Sequence, residues 1–262
     1  MIRSLWNGAS GMTAQNNRMD VITNNLANVN TTGYKKQRTS FSDLLYQELN
    51  STTLPIKNNQ QNKVLVGSGV KVNNTYFLFG QGQLIETGRD LDVAILGRGF
   101  LEVELPDGQF AYTKDGNLHF DRGQLVNSAG YRVSADITVN PEILNTAKKI
   151  TIQDKGTILI NTDLGENIEA GTIPLFKIDN PSALKPVGQN LYTLTNASGS
   201  VQIESPEDPG SSSFKQGYLE GSNVNILEEM VEMIATQRSY QFNSRSIQNS
   251  DEMWSIANNL RR

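Results

Sequence analysis

The first 33 residues of the chain carry a narrow stripe of apolar side chains in an otherwise polar stretch. Over residues 1–33, large apolar residues recur every seven positions, with a second line three residues to one side, as at the a and d positions of a heptad. Gly33 can end the segment, because glycine tolerates the left-handed conformation in which many helices stop. The pattern predicts an amphipathic helix ending near Gly33. The stripe comprises Leu5, Met12, Met19 and Leu26, with Ile2, Ile22 and Val29 beside them.

The C-terminal segment, from about residue 222 to residue 262, repeats this pattern. Ser222 or Asn223 can cap its start, and Glu228 and Glu229 favour the positive end of a helix dipole. Arg261 and Arg262 suit the negative end. We therefore predict a second long amphipathic helix. Its stripe comprises Ile226, Met233, Tyr240, Ile247 and Trp254, widened by Leu227, Met230, Ile234, Ala257 and Leu260.

Between these segments the pattern changes to short apolar or alternating runs that glycine, aspartate and asparagine interrupt. Residues 91–96, 100–105 and 150–152 have the composition of strands, and turn signals follow at 106–108, 115–116 and 155–156. The spacing predicts an all-β domain of sandwich or barrel type. The predicted fold class is α+β, with coiled-coil-like terminal helices flanking a central all-β domain. We expect boundaries at 1–62, 63–214 and 215–262, with a polar linker at 58–62.

Composition narrows the function classes. Hydrophobic residues make up 37% of the chain and charged residues 19%, and the net charge is −4. A nucleic-acid partner is therefore not expected. The absence of cysteine excludes disulfides, thiolate metal sites and cysteine nucleophiles. No apolar run suggests a cleaved signal peptide or a membrane span, so we expect a protein that is not membrane-inserted.

Each apolar stripe is too weak to hold a helix by itself. Burying four or five large residues contributes on the order of 6–15 kcal/mol, whereas ordering the backbone costs about 1–2 kcal/mol per residue. Additional partners would complete the burial, and a head-to-tail contact that does not close would give a helical tube. Packing of both helices against the chain's own β domain is the alternative, and the stripes alone do not decide between the two.

Residues 24–35 carry a specific motif, an Asn-Asn-Leu-Ala-Asn run followed by Thr-Gly-Tyr-Lys. It resembles the N-terminal signature of the bacterial flagellar axial proteins, the rod, hook and hook-associated subunits. Residues 220–225, followed by 228–231 and 237–240, are similar to the C-terminal motif of that family. Two such motifs at opposite ends identify the chain as a member. The motif residues are Asn24, Asn25, Leu26, Ala27, Asn28, Thr32, Gly33 and Tyr34.

The middle of the chain refines the resemblance. The glycine-punctuated series at 67–70, 80–84, 92–100, 112–116 and 123–126 resembles the β domain that the distal rod protein shares with the hook. The start at residues 1–6 is also typical of the distal rod type. The resemblance covers essentially the whole chain and is weakest at about 140–201. A paralogous rod subunit or a hook-type axial protein remains the alternative.

The resemblance implies a structural subunit that forms the rigid hollow shaft transmitting torque from motor to hook. It implies export through the flagellar type III apparatus without a cleaved signal, and a place in the basal body at the periplasm or cell-wall zone. Expected partners are further copies of the chain in a helical tube, other rod subunits and the hook protein. The stripe residues would form the self-assembly contacts, and the helices would order largely on assembly.

The remaining polar residues give no active site, metal site or cofactor site. His119 is the only histidine and lies in a predicted strand, where a structural role is expected. We interpret the glycines at 80–82 and 97–99 as turns needing positive φ. Asp90, Asp92 and Asp115 are expected to be solvated turn residues. The basic cluster Lys35, Lys36 and Arg38 is consistent with a solvated helix end, or with a site for an acidic neighbour or a peptidoglycan-associated surface.

Two rivals from other classes remain. A muramidase of the kind associated with some flagellar rods would need a catalytic glutamate in a helical domain, which the β-patterned middle does not provide. A β-type adhesin module would not explain the paired terminal stripes or the two end motifs.

Overall fold

Long helices open and close the part of the chain that the computed structural model describes, namely residues 2–49, 64–137, 147–162, 167–205 and 211–260. Helix α1 spans Ile2–Ala27 and helix α2 spans Ile226–Asn259. A β-rich region lies between them in sequence, so the α+β class is confirmed. Glu228 and Glu229 fall in the first turn of α2, as predicted. Residues 58–62, Arg261 and Arg262 lie outside the described residues.

The prediction that the first helix continues to Gly33 is wrong. After Ala27 the chain forms a turn in which the N–H of Thr31 donates to the carbonyl of Asn28 at 3.1 Å. Gly33 does adopt the left-handed region, with φ of 67°, but within this turn and not as a helix end. The predicted start of the second helix at Ser222 or Asn223 is also displaced, because α2 begins at Ile226.

Twenty-one strands lie within the described residues between the two helices. They are β1 (Gln37–Asp43), β2 (Gln47–Leu49), β3 (Val64–Val66), β4 (Val70–Phe77), β5 (Leu84–Glu86), β6 (Val93–Leu96), β7 (Leu101–Glu104), β8 (Phe110–Thr113), β9 (Leu118–Asp121), β10 (Gln124–Asn127), β11 (Arg132–Val133), β12 (Asp136–Ile137), β13 (Ala147–Ile152), β14 (Thr157–Thr162), β15 (Asn167–Thr172), β16 (Phe176–Ile178), β17 (Lys185–Gly188), β18 (Leu191–Thr193), β19 (Val201–Ile203), β20 (Ser213–Gln216) and β21 (Tyr218–Glu220). The strands predicted at 91–96, 100–105 and 150–152 correspond to β6, β7 and β13.

The chain divides into two compact units. Residues 1–26, 37–76 and 226–262 form the helical unit, and residues 27–36 and 77–225 form the β unit. This division differs from the predicted segments for a physical reason. Strand β1 pairs with β4, which keeps residues up to 76 in the helical unit. Strand β21 pairs with β5, which keeps residues 215–225 in the β unit.

The β unit is organised around a seven-stranded sheet in the order β17-β18-β8-β7-β11-β10-β9 and a four-stranded sheet in the order β12-β15-β14-β13. Side chains alternate between the two faces of β7, which buries Leu101 and Val103. The same alternation along β14 buries Ile158 and Ile160. These side chains belong to one apolar core. A second cluster is aromatic, and in it Phe77 and Phe79 both meet Tyr192 edge-on.

The interpretation of the glycine pairs as positive-φ turns is only partly correct. Gly97 has φ of 103°, whereas Gly80, Gly82 and Gly99 do not adopt positive φ. Gly82 is required for a different reason, because a Cβ there would lie 2.0 Å from the carbonyl oxygen of Gly221. The close approach of two backbones, and not a turn, selects glycine at this position.

Candidate self-assembly site

The two helices of the helical unit contact each other through small and polar residues. The hydroxyl groups of Ser4 and Ser250 lie 3.1 Å apart, and Arg18 pairs with Glu232 at 3.4 Å. At the far end of α1, the amide of Asn25 donates to Oε2 of Glu229 at 3.0 Å. Residue numbers rise on one helix as they fall on the other, so the pair is antiparallel.

Two glycines allow the helices to approach closely. A Cβ at position 8 would lie 2.8 Å from Cγ1 of Ile247, and one at position 11 would lie 2.7 Å from the amide of Asn243. Both distances are shorter than real Cβ atoms tolerate, so neither position accepts a larger side chain without movement. On α2 the buried residues are Glu229, Thr236 and Ser250, two of which lie seven residues apart. The shared face of the helix pair is therefore a heptad line of polar and small residues.

The predicted apolar stripes lie mostly outside this face. On α1, Ile22 is buried, whereas Leu5, Met12, Met19, Leu26 and the following Val29 are half-buried. On α2, Met233 and Ile247 are half-buried and the rest are exposed. The exposed stripe residues are Ile226, Leu227, Met230, Ile234, Tyr240, Trp254, Ala257 and Leu260, with Met230 at 51%.

Both helices also expose large apolar side chains that the predicted stripes did not include. Trp6 on α1 is 71% exposed and Phe242 on α2 is 66% exposed. Val231, Met253 and Ile256 are also exposed, which places apolar groups on several sides of α2. A monomer seldom exposes so many large apolar side chains on one helix unless a partner covers some of them.

The turn after α1 is held in the β unit by a buried ion pair. Nζ of Lys35 lies 2.6 Å from Oε1 of Glu220 and donates to the carbonyl of Gly80 at 2.9 Å, and both charged side chains are fully buried. The same carboxylate oxygen accepts from the N–H of Gly82 at 2.7 Å. The expectation of a solvated basic cluster is therefore wrong for Lys35 and for buried Lys36, and correct for exposed Arg38.

Backbone contacts reinforce this ion pair. The N–H of Gly33 donates to the carbonyl of Glu220 at 2.8 Å, and that of Lys36 donates to Oδ1 of Asn223 at 2.7 Å. The amide of Asn223 reaches the carbonyl of Leu78 at 2.7 Å. The N-terminal and C-terminal motifs thus bind each other directly. The sequence signalled this only by placing Lys35 and Glu220 inside the two motifs.

The other motif residues have distinct environments. Within the helical unit, Asn25 is buried and exchanges two hydrogen bonds with the backbone of Gln37, both at 2.9 Å. Asn24 and Ala27 are exposed and Asn28 is half-buried. Tyr34 is buried within the β unit. A buried asparagine whose amide is bonded in this way fixes the local path of the chain, and its side chain is not available to bind a ligand.

Thr32 links the motif to the β8–β9 turn. Its hydroxyl donates to Oδ1 of Asp115 at 3.0 Å, and its carbonyl accepts from the amide of Asn190 at 2.7 Å. Burial raises the pKa of the Asp115 carboxyl, and its hydrogen bonds to Thr32, Asn117 and Ser128 oppose that rise. The expectation of solvated aspartates is therefore wrong for Asp115, and also for Asp92, which is buried. Asp90 is exposed.

A catalytic or metal site in this chain would be built from His119 and the acidic side chains, because the chain has no cysteine. His119 is exposed on β9, and its ring lies 3.0 Å from the guanidinium of Arg89. The described residues contain no cluster of three or more histidine, cysteine, aspartate or glutamate side chains that could hold a metal ion. Neither described helix is long and apolar enough to cross a bilayer.

Comparison with known families defines the class of protein. Residues 5–35 match the model for flagella basal body rod proteins, and residues 94–160 match the D1 domain of the flagellar hook protein FlgE/F/G. Residues 215–260 match the C-terminal model of the flagellar basal body rod FlgEFG proteins. The first and last matches contain the two motifs that bind each other.

Full-length relatives narrow the class. The chain is 44% identical to the flagellar basal-body rod protein FlgG of Borreliella burgdorferi over 266 residues, with all of both chains covered. The chain is also 36% identical to FlgG of Bacillus subtilis and 32% identical to the flagellar hook-basal body complex protein FlhP of the same organism. Both alignments cover the full length of both chains. The chain belongs to the FlgG family of flagellar basal-body rod proteins.

Proposed function

We propose that this chain is a structural subunit of the distal rod of the flagellar basal body and polymerises into a rigid hollow drive shaft. The family assignment supports the rod role. The observation that carries the polymerisation is the composition of the two helix faces. The helices meet through Gly8, Gly11, Asn243 and Ser250, while Met230, Phe242 and Trp254 remain exposed.

The exposed apolar residues need a partner for energetic reasons. Full burial of each large side chain is worth about 1.5–3 kcal/mol, so several per subunit contribute as much as a stable protein interface requires. Because α2 carries apolar groups on more than one side, one neighbour would not cover them all. Several copies around a common axis would, and coiled-coil-like packing of these helices in an inner tube is the arrangement we propose.

A heterologous contact generates a tube when successive copies rotate and rise without closing. In this proposal the contacts between copies are formed by the stripe residues Leu5, Met12, Met19, Leu26, Ile226, Met230, Met233, Tyr240 and Trp254. Ile247 instead packs against Gly8 within the subunit. The β unit forms the outer layer. Torque is transmitted because such contacts repeat along the whole length of the shaft.

The proposal extends to location and partners. The subunit would reach the basal body through the flagellar type III export apparatus without signal cleavage, and would work in the periplasm or cell-wall zone. Its neighbours would be further copies, other rod subunits and the hook protein. The function is mechanical in this proposal, with neither catalysis nor a cofactor in the transmission of torque.

A charge placed on the exposed apolar surface tests the proposal. Met230→Asp should abolish formation of rods, because a carboxylate cannot be buried unpaired in an apolar contact. Gln248→Asp adds the same charge at an exposed polar position of the same helix and serves as the control. Rods are counted by electron microscopy, and the melting of the β unit is followed by circular dichroism. Normal rods from Met230→Asp would show that this face is not the assembly surface.

A further inference from the structure

A cavity of about 550 Å³ in the β unit combines apolar walls with cationic groups. Phe79, Phe100 and Ile178 supply apolar surface, of which Phe100 and Ile178 are themselves buried. Three cations border the same space, namely Arg98, Lys114 and Lys177. The volume lies within the range of pockets that bind small organic ligands.

The cations in the lining of this cavity outnumber the acidic residues in it. Among the described residues, Arg98, Lys114 and Lys177 form no ion pair within 4.0 Å. Asp179 is the acidic residue in the lining, and its Oδ2 already accepts from the hydroxyl and the N–H of Ser200 at 2.8 and 3.2 Å. Glu204 and Glu220 also act on Lys114 from outside the lining, and Glu220 is already paired with Lys35. The lining itself carries three cations and one carboxylate, in a chain whose net charge is −4.

Lys114 is the deepest of the three cations. It is 2% exposed, its Nζ donates to the carbonyl of Gly97 at 2.6 Å, and it lies 5.3 Å from the centroid of the Phe100 ring. Burial lowers the pKa of Lys114 to about 8, and nearby Lys35 lowers it too, whereas the carboxylates of Glu220 and Glu204 oppose the change. A buried ammonium under this penalty is stabilised by any anion that reaches it.

We propose that this cavity is a binding site for a carboxylate carried on an apolar body. Arg98 offers a planar fork that suits two carboxylate oxygens, Lys114 offers a point charge at the floor, and the aromatic walls cover the apolar part. Inorganic phosphate would carry more charge than a carboxylate, but it has no apolar part to contact the aromatic walls. The site uses none of the helix residues that the proposed contacts between copies involve.

Titration calorimetry with phenylacetate on the full-length unassembled subunit tests the site. Binding should be at least tenfold weaker to Arg98→Gln, and phenylacetamide, which has the same body without the charge, should not bind. Arg98 is exposed, so this variant should fold normally. Lys185→Gln, which removes an exposed cation outside the cavity, should bind like the parent chain. Equal binding of phenylacetate and phenylacetamide, or unchanged binding to Arg98→Gln, would overturn the proposal, as would tighter binding of inorganic phosphate.

Proton uptake gives a second readout that is specific to the floor of the cavity. At pH 8 a bound carboxylate should raise the pKa of Lys114, so that binding takes up a fraction of a proton. Calorimetry in two buffers of different ionisation enthalpy measures that fraction. Lys114→Met should abolish the uptake, and uptake that persists in this variant would contradict the assignment of Lys114.

The carboxylate could be a free molecule or an acidic side chain of a neighbouring chain. Repeating the titration on assembled rods separates these sources. Binding that survives assembly supports a free ligand, and binding that is lost on assembly supports a cavity filled by a neighbouring chain's carboxylate.

Discussion

The interface between the two helices and the core of the β unit are built from opposite kinds of residue. In the β core, large apolar side chains such as Leu101, Val103 and Ile158 are fully buried. Between the helices, glycines and polar groups supply most of the contacts together with Ile247, and most of the other large apolar side chains lie outside. The core supplies stability to a single chain. The helix pair leaves large apolar side chains exposed, and the proposed contacts between copies would bury them.

The largest expected effect concerns the buried ion pair of the β unit. Lys35→Met leaves the carboxylate of Glu220 buried without a counter-charge and should destabilise the β unit by about 3–5 kcal/mol. The double variant Lys35→Met/Glu220→Leu removes both charges and should recover most of that loss. Denaturant unfolding followed by circular dichroism measures the free energy of unfolding. A loss below about 1 kcal/mol in the single variant would mean that solvent reaches the pair and that the β unit is not held together there.

An intermediate effect follows from the lowered pKa of Lys114. Below pH 8 both the folded and unfolded chains carry this proton, so the burial penalty is fully present. As the pH rises from 8 toward 10, the unfolded chain binds more protons at this group, and the free energy of unfolding should rise by about 1 kcal/mol per pH unit.

The comparison with Lys114→Met isolates this contribution. Above pH 10 the contribution of Lys114 is obscured by two tyrosines. Burial raises the pKa of Tyr112 and Tyr192 above the ordinary tyrosine value, so they ionise first in the unfolded chain and the free energy of unfolding falls. Unfolding is measured by urea titration at several pH values. If the parent chain and Lys114→Met have parallel pH profiles between 8 and 10, Lys114 is solvated in the folded chain.

The smallest effect separates the two glycines of the helix interface. An alanine in a helix interior gains about 1 kcal/mol over glycine, whereas overpacking costs about 1–3 kcal/mol. Gly8→Ala should loosen the pair, because its Cβ would meet Cγ1 of Ile247 near the branch point of that side chain. Gly11→Ala should be neutral or stabilising, since it meets the terminal amide of Asn243, which can rotate away.

Hydrogen exchange of the α1 amides distinguishes these two outcomes. We expect faster exchange in Gly8→Ala and unchanged or slower exchange in Gly11→Ala, relative to the parent chain. Slower exchange in both variants would show that helix propensity dominates and that the helices do not pack closely in the single subunit.

Local pattern was sufficient to predict the elements and insufficient to predict their partners. The heptad stripes correctly indicated two long helices, and the alternation at 100–105 correctly indicated β7. The stripes could not reveal that the helices of one chain meet on Gly8 and Asn243, because small and polar residues leave no apolar signal. Whether Leu5 or Met233 contacts a neighbouring copy stays a prediction.

The buried charges could not be predicted from the sequence for a related reason. Lys35 is separated from Glu220 by 185 positions, and no periodicity connects residues so far apart. The predicted helix end at Gly33 failed in the same place. The left-handed conformation expected for Gly33 is present, but the chain uses it to bring the following lysine to β21.

That separation has a consequence for the order in which the chain can fold. Long-range contacts form slowly because the intervening loop must close first. A chain that stops short of residue 220 has no counter-charge for Lys35, so the turn at residues 31–36 lacks the ion pair and the Gly33 contact that hold it in the β unit. We therefore expect these residues close to the N-terminus to reach their final conformation only when almost the whole chain is present.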